Sequence, residues 1–388
     1  MGRGHEVTLQ TWSRWEEQVE REGMAFAPAP EYEVWPRNRR LTPYQAAVRA
    51  AHETVPLIRE LDPHAVVVDI LTVAGSLAAQ MDDRRWATLI PHVFPAGERG
   101  MPPYSAGARL PRTRVGALGW SLFEPLLRGG AERGRQELNG ARERVGLSPL
   151  DRVHGGISRE LALVATFPQL EYPRQERHPS VRVTGPLLWE QPYEAVEPPP
   201  GDEPLVLVAP STSQDPDHRM LRAALTGLAH EPVRVLGTTN RRAPSSPLDV
   251  PANARVVDWL SYARTMPACA AVVCHAGHGT VARALASGVP VVGCPAAGDM
   301  AENAARVAWS GCGVSLPRRL VTPRGVRLAV RKVLADQGYA QRASQLRAWS
   351  ERHDGGAEAA GALEEMVHST PRSDRELRGW DSNPQPLD

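Results

Sequence analysis

The chain has 388 residues, which is enough for two or three domains. Its hydrophobic fraction of 42% can build cores of ordinary size, so folding needs neither disulfides nor a metal ion. The 45 basic and 44 acidic residues leave a net charge of +1, which argues against a nucleic-acid-binding protein. The longest apolar stretch, residues 70–79, is too short to span a bilayer, and the amino terminus lacks the apolar core of a signal peptide. These features predict a cytoplasmic protein without a membrane span.

The first half of the chain alternates short apolar runs with helical patterns. Runs rich in β-branched residues predict strands at residues 7–10, 24–27, 65–68, 86–90, 161–165 and 181–184. Apolar residues at helical spacing predict helices at residues 14–22, 43–60, 73–81 and 118–144. We therefore expect an α/β domain over residues 1–189.

A Pro-rich segment separates this half from the next. Residues 190–204 contain five prolines (Pro192, Pro198, Pro199, Pro200 and Pro204), which neither a helix nor a central strand accommodates, so we predict a linker. Two α/β domains joined in this way leave a cleft between them, and such clefts hold ligands.

The second half repeats the strand and helix alternation more regularly. Strands are predicted at residues 205–209, 233–236, 255–257, 271–274, 289–292 and 313–316. Asp215-Pro216 and Thr322-Pro323 each read as an N-cap followed by the first helical position. Strict alternation predicts a parallel sheet covered on both faces, with ligands at the carboxyl ends of the strands. We assign residues 205–368 to this second domain and expect residues 369–388, which are polar and turn-rich, to be a disordered tail.

The clearest motif is Cys274-His275-Ala276-Gly277-His278-Gly279-Thr280, between a predicted strand and a helix that runs through Ser287. Glycines at such a turn allow close backbone approach, and a helix start offers unpaired N–H groups with a positive dipole end. His275 and Thr280 add side-chain donors. The motif predicts a diphosphate site without lysine, although a tight turn with a capping Thr is an equally ordinary explanation of the same spacing.

The order of motifs around this turn is similar to that of a known family. Val257-Asp258-Trp259, the turn itself, Gly288-Val289-Pro290 and Gly298-Asp299-Met300 follow one another as in the nucleotide-sugar-binding segment of family 1 glycosyltransferases. The chain resembles the bacterial macrolide-type branch over these motifs, and the resemblance extends more weakly over residues 204–365. The resemblance implies the GT-B fold, in which two Rossmann-like domains with parallel sheets face each other across a cleft.

The resemblance also implies the donor-binding residues, which are Ser211, Thr212, Trp259, His275, Gly277, His278, Gly279, Thr280, Asp299 and Met300. In this family the Trp stacks on the nucleobase, the His and Thr contact the diphosphate, the Ser-Thr turn lies on the phosphate side, and the Asp contacts sugar hydroxyls. A core Trp, a structural His and a capping Thr are the alternatives for these side chains.

Two positions depart from the family pattern. The family often has Gln where this chain has Met300, and Glu where it has Arg283. An Arg cannot accept hydrogen bonds from ribose hydroxyls, so that contact must differ or be absent. The donor sugar is correspondingly open.

The amino terminus lacks a family feature. Gly4-His5-Glu6-Val7 resembles the family's second strand, which normally follows a first strand, a Gly-rich loop and a helix that begins with the general-base His. We expect a start that is misassigned or a fragment, and therefore slow sugar transfer by this chain. Asp69 falls where the family's His-orienting Asp lies, although an Asp after a strand is commonly an N-cap. His92 is expected on the acceptor side, with a substitute base role as a secondary option.

These features favour an inverting glycosyltransferase that moves a hexose from a UDP- or TDP-sugar to a hydroxyl of a small hydrophobic acceptor, without a cofactor or metal ion. One alternative is a non-catalytic nucleotide-sugar binder. The other is a nucleotide-sugar epimerase of the same fold, which would need a pair of carboxylates in the cleft. No feature of the sequence predicts the oligomeric state.

Overall fold

The computed structural model describes residues 2–31, 43–174, 179–211, 215, 217–296 and 298–370. These residues form two units of parallel strands alternating with helices, which confirms the predicted α/β class. The segment predicted as a linker contains no helix or strand. Most of the predicted tail, from residue 371 onward, lies outside the described residues.

The first unit contains the strands and helices predicted for the first half of the chain. Its strands are β1 (Thr8–Thr11), β2 (Ala25–Pro28), β3 (Val66–Asp69), β4 (Trp86–Ile90), β5 (Leu161–Val164) and β6 (Val181–Val183). Its helices are α1 (Glu16–Arg21), α2 (Pro43–Leu61), α3 (Val73–Met81), α4 (Arg114–Leu122) and α5 (Glu124–Arg144). The strand bounds lie close to the predicted ones because each strand is a short apolar run bounded by turn residues.

The strands of the first unit form two separate parallel sheets. β1 pairs with β2, and β3 to β6 form a four-stranded sheet in chain order. No described strand joins the two sheets, and apolar side chains of β1 and β3, such as Leu9 and Val67, are exposed. The expectation that this domain is truncated at its start stays a prediction.

The second unit has one continuous sheet. Its strands are β7 (Leu205–Ala209), β8 (Arg234–Thr238), β9 (Ala254–Val257), β10 (Ala271–Cys274), β11 (Val291–Gly293) and β12 (Gly313–Ser315). Its helices are α6 (Arg219–Leu228), α7 (Tyr262–Thr265), α8 (His278–Ala286), α9 (Asp299–Ser310), α10 (Pro323–Ala335), α11 (Gln337–Ser350) and α12 (Gly355–His368). The strands are all parallel in the order β12-β11-β10-β7-β8-β9, and buried apolar clusters lie on both faces. This doubly wound arrangement places ligands at the carboxyl ends of the central strands β7 and β10.

Helix α12 returns to the first unit. Its Ala359 and Met366 are buried in a cluster with Leu161 of β5. Arg85 donates hydrogen bonds to the carbonyl oxygens of Val367, at 3.2 Å, and Ser369, at 2.7 Å. In space, the first unit therefore includes a helix from the range predicted for the second domain.

The start of α6 differs from the predicted start at Asp215-Pro216. The helix begins at Arg219, because His218 before it adopts a left-handed conformation with φ of 52°. The Asp215 carboxylate still accepts from the backbone N–H groups of Arg219, at 2.9 Å, and Met220, at 3.1 Å. Asp215 therefore caps the helix from farther away than predicted, while Pro216 lies outside the described residues.

The helix predicted at residues 118–144 is two helices, α4 and α5. Thr113 caps α4 by accepting from the backbone N–H of Gly116 at 3.2 Å, so the helical region begins earlier than predicted. Phe123 separates α4 from α5, and Pro125 lies in the first turn of α5, where its missing N–H costs least.

Candidate active site

The Gly-rich turn lies at the carboxyl end of β10, as predicted. Gly277 caps α8, and Ala276 before it has a left-handed φ of 61°. A side-chain carbon on Gly277 would lie 2.3 Å from Nε2 of His275, so only glycine allows this ring to fold over the turn. The start of α8 thus combines a close backbone approach with an imidazole, which is the arrangement predicted for an anion site.

The His275 ring is held by the neighbouring strand. Its Nδ1 lies 3.3 Å from the carbonyl oxygen of Ala209 at the end of β7. A carbonyl only accepts, so this bond places the proton on Nδ1 and leaves Nε2 as an acceptor in the neutral ring. Burial lowers the pKa of His275, and the hydrogen bond to Ala209 and the charges of Asp299 and Asp215 offset part of that effect.

His278 faces the first unit. Its Nε2 lies 3.1 Å from the carbonyl oxygen of Ala165, just beyond β5. Burial lowers the pKa of His278 to about 4, so the ring is neutral and donates this bond. The contact brings the Gly-rich turn against the carboxyl ends of the strands of the first unit, and it directs His278 toward that unit.

Three further predicted donor residues lie around the turn. Thr280 is buried in the first turn of α8, Gly279 is exposed, and Ser211 is buried at the end of β7. Thr212 lies outside the described residues.

Asp299 is linked to the Gly-rich turn through the side-chain amide of Asn303. It is the first residue of α9, and its Oδ2 accepts from Nδ2 of Asn303 at 3.3 Å. The same Nδ2 donates to the carbonyl oxygen of Ala276 at 3.0 Å. Met300 packs against a buried apolar cluster that contains residues of both units.

The Trp259 ring is contacted by Arg241, which the sequence did not predict. The guanidinium carbon of Arg241 lies 4.5 Å from the centre of the Trp259 ring, and Tyr193 meets the same ring edge-on at 6.5 Å. Arg241 and Asn240 both have positive φ, and Asn240 is anchored by donating to the carbonyl oxygen of Pro210 at 2.6 Å. The only sequence signal is that Arg241 follows the carboxyl end of β8, at the ligand edge of the sheet.

Arg283 is engaged with the linker. It hydrogen-bonds the carbonyl oxygen of Leu188, and its Nε lies 3.7 Å from Glu190. Glu190 in turn accepts from the backbone N–H groups of Tyr262 and Ala263 at the start of α7. Arg283 therefore ties the linker to the second unit.

On the acceptor side, His92 follows β4 and is fixed by two contacts. Its Nδ1 lies 2.8 Å from the carbonyl oxygen of Val93 and 3.1 Å from the hydroxyl of Tyr104. The bond to the carbonyl requires the proton on Nδ1, which leaves Nε2 unprotonated in the neutral ring. Val93, the next residue, is buried in the same apolar cluster as Ala276, so the loop after β4 lies beside the Gly-rich turn.

Asp69 is not joined to a histidine. Its Oδ1 accepts from the backbone N–H of Leu71 at 2.8 Å, and among the described residues no histidine hydrogen-bonds it. This turn contact resembles the capping alternative weighed for the sequence. The His92 ring is instead contacted by the Val93 carbonyl and the Tyr104 hydroxyl.

The described residues contain no group of three or more His, Cys, Asp or Glu side chains that could hold a metal ion. Burial raises the pKa of the Cys274 thiol to about 12, so this thiol stays protonated at neutral pH. Within the same residues, no helix is both long and apolar enough to cross a membrane.

The chain is similar to known glycosyltransferases. Residues 220–366 match the family described as erythromycin biosynthesis protein CIII-like, C-terminal domain. The chain is 29% identical to the 4'-demethylrebeccamycin synthase of Lentzea aerocolonigenes over 95% of this chain and 94% of that protein. It is 33% identical to a PGL/p-HBAD biosynthesis glycosyltransferase of Mycobacterium tuberculosis, of which it covers only 49%.

Solved structures share the fold. The calicheamicin glycosyltransferase CalG4 superposes with a TM-score of 0.71 at 22% identity, over 95% of this chain and 93% of that one. A spinosyn rhamnosyltransferase complexed with thymidine diphosphate superposes with a TM-score of 0.66 at 18% identity, over 94% and 93%. The fold is GT-B, and these similarities support the predicted resemblance to family 1 glycosyltransferases.

Proposed function

We propose that the chain is an inverting glycosyltransferase that moves a hexose from a UDP- or TDP-sugar to a hydroxyl of a small hydrophobic acceptor. The observation that carries this proposal is the contact between His278 and Ala165, which presents the start of α8 to the first unit. A donor diphosphate bound at α8 would then have its sugar directed toward His92, across the cleft.

The diphosphate is held by the backbone N–H groups of the first turn of α8 and by His275. A helix start favours negative charge, and fixed donors stabilise the charge that grows on the leaving group. Because these groups supply the positive potential, we propose that no metal ion is required. We propose that Asp299 accepts hydrogen bonds from sugar hydroxyls, and its link to the turn through Asn303 supports this.

The nucleobase stacks on Trp259. Arg241 covers this ring on one side, so the base uses the remaining exposed surface of Trp259. A neighbour of similar fold is complexed with thymidine diphosphate, which supports a pyrimidine nucleotide.

The chemical step is a single displacement. The acceptor oxygen attacks the anomeric carbon as the bond from that carbon to the diphosphate oxygen breaks, and the acceptor proton moves to Nε2 of His92. His92 is suited to this role because Val93 and Tyr104 hold the ring on its Nδ1 side, which leaves Nε2 available. In this proposal Asp69 does not orient the base, and its turn contact with Leu71 is structural.

The experiment that tests the proposal is a turnover assay with the full chain, UDP-glucose or TDP-glucose, and a panel of hydrophobic alcohols and phenols. Mass spectrometry should detect a glycoside, and NMR should show the anomeric configuration opposite to that of the donor. Donor binding without glycoside would favour the non-catalytic binder. Conversion of the donor sugar to an epimer without an acceptor would favour the epimerase.

His275→Ala should weaken donor binding by ~1.5–3 kcal/mol, the worth of a hydrogen bond to a charged group. The free ring is neutral at neutral pH because burial lowers its pKa, and its Nε2 can donate to a phosphate only when protonated. Bound diphosphate favours the protonated ring, so affinity should rise as the pH falls. Calorimetry with the intact nucleotide sugar from pH 8 to about pH 6 measures this, because the diphosphate itself takes up no proton in that range.

The matched control is His230→Ala, which removes an exposed histidine from the same unit. This variant should keep both the parent affinity and its pH dependence. If His275→Ala binds the nucleotide sugar as tightly as the parent at every pH, His275 only stabilises the turn.

A further inference from the structure

Helix α4 carries its apolar side chains on the outside. Its inner side lies against the preceding loop, where a side-chain carbon on Gly100 would be 3.3 Å from the methyl carbon of Ala117. Its outer side exposes Val115 (79%), Leu118 (62%) and Leu122 (75%), and Phe123 beyond it is 55% exposed. In a helix on the surface of a domain, the apolar side chains normally face the core and the polar ones face the solvent.

These side chains form one stripe. Positions 115, 118 and 122 are spaced by three and four residues, so they lie on one side of the helix, and Phe123 extends that side toward α5. The exposed apolar area is on the order of 400 Å², which equals the largest patch on a typical monomer. Patches of this size are often functional.

The region around the stripe is positively charged. Between Glu98 and Glu124 the sequence has four arginines and no acidic residue, whereas the whole chain has a net charge of only +1. Three of these arginines, Arg109, Arg112 and Arg114, are exposed at the amino-terminal end of α4. Apolar side chains flanked by arginines are typical of helices that lie in the interface of an anionic membrane.

We propose that this basic-apolar face (Arg109, Arg112, Arg114, Val115, Leu118, Leu122 and Phe123) docks on an anionic lipid surface. The apolar side chains would enter the headgroup region, and the guanidinium groups would pair with lipid phosphates. A second copy fits less well, because a symmetric pair presents the same face twice, and residues 99–123 offer no carboxylate to the arginines. The face is also a helix surface rather than a concave pocket, which argues against a small ligand.

The face is connected to the acceptor side of the cleft. The loop that leads into α4 contains His92 and Tyr104, and its Gly107 packs against Ala301 of α9. Docking would therefore place the acceptor side of the cleft near the lipid, where a hydrophobic acceptor concentrates. The proposal goes beyond the transfer reaction and does not depend on it.

The test is flotation of the full chain with vesicles of phosphatidylcholine, with or without phosphatidylglycerol. The parent should float with the anionic vesicles, less so at high salt, and stay unbound with phosphatidylcholine alone. The double variant Leu118→Glu, Leu122→Glu should lose flotation, and Arg112→Glu, Arg114→Glu should lower it by more than about tenfold. The control Val250→Glu, Leu328→Glu changes exposed apolar residues elsewhere and should float like the parent.

Thermal unfolding of each variant checks that the fold is retained, which is expected because the altered side chains point outward. Absence of parent flotation with anionic vesicles would overturn the proposal, as would equal flotation of the α4 variants. A parent that is dimeric in solution, with Leu118→Glu, Leu122→Glu monomeric, would instead assign the face to a second copy.

Discussion

His92→Ala should reduce turnover by ~10²–10⁴-fold while leaving the affinity for the nucleotide sugar unchanged, because a positioned general base contributes about this much to a displacement. The proposed donor contacts lie in the second unit, and His92 follows β4 in the first. Rates at saturating donor and acceptor, with calorimetric donor affinities, measure the two quantities separately.

Chemical rescue distinguishes a base from a structural residue. Imidazole added to His92→Ala should restore part of the rate, since a free base can occupy the space left by the side chain, and imidazole should not accelerate the parent. Tyr104→Phe removes one of the two groups that fix the ring, so its loss of turnover should be smaller than that of His92→Ala. Parent-like turnover of His92→Ala would assign the base to another group.

Glu302→Ala should destabilise the protein by about 3–5 kcal/mol, because it leaves the buried charge of Arg306 without its partner. Both side chains are almost fully buried, with exposures of 2% for Glu302 and 4% for Arg306, and they meet at 2.7 Å. Arg306 also donates to the carbonyl oxygen of Leu170 at 3.1 Å and lies 3.4 Å from the centre of the Tyr172 ring. The pair therefore joins α9 of the second unit to the first unit.

Urea unfolding followed by circular dichroism measures this loss. The matched control is Glu351→Ala, which breaks an ion pair with Arg347 at the same spacing of four residues, where the side chains are 63% and 54% exposed. Solvent screens that pair, so its loss should change stability little. Equal midpoints for Glu302→Ala and Glu351→Ala would mean that the buried pair does not hold the two units together.

The sequence predicted the strands well and the contacts between units poorly. Strands such as β7 and β10 are continuous apolar runs, and a fully buried parallel strand requires that composition. The Gly-rich turn was equally predictable from the sequence, because close backbone approach at a helix start restricts the residue types that fit. Such signals are local.

The missed features depend on residues that are distant in the sequence. Arg241 stacks on Trp259 only because two neighbouring strands end side by side, and Arg306 reaches Leu170 only when the units meet. The start of α6 was missed because a left-handed residue, His218, intervenes between the cap and the helix. An Arg, or a His in a turn, carries no signal of such a partner or conformation.

The return of α12 to the first unit has a consequence for biosynthesis. Arg85 and the residue it binds, Val367, are 282 positions apart, and the core around β5 is incomplete without Ala359 and Met366. Domains usually fold in order as they leave the ribosome, the amino-terminal one first. Here the amino-terminal unit cannot finish its core until nearly the whole chain has emerged, whereas the sheet from β7 to β12 takes its strands from a continuous later stretch. The later unit should therefore complete its sheet before the earlier unit completes its core.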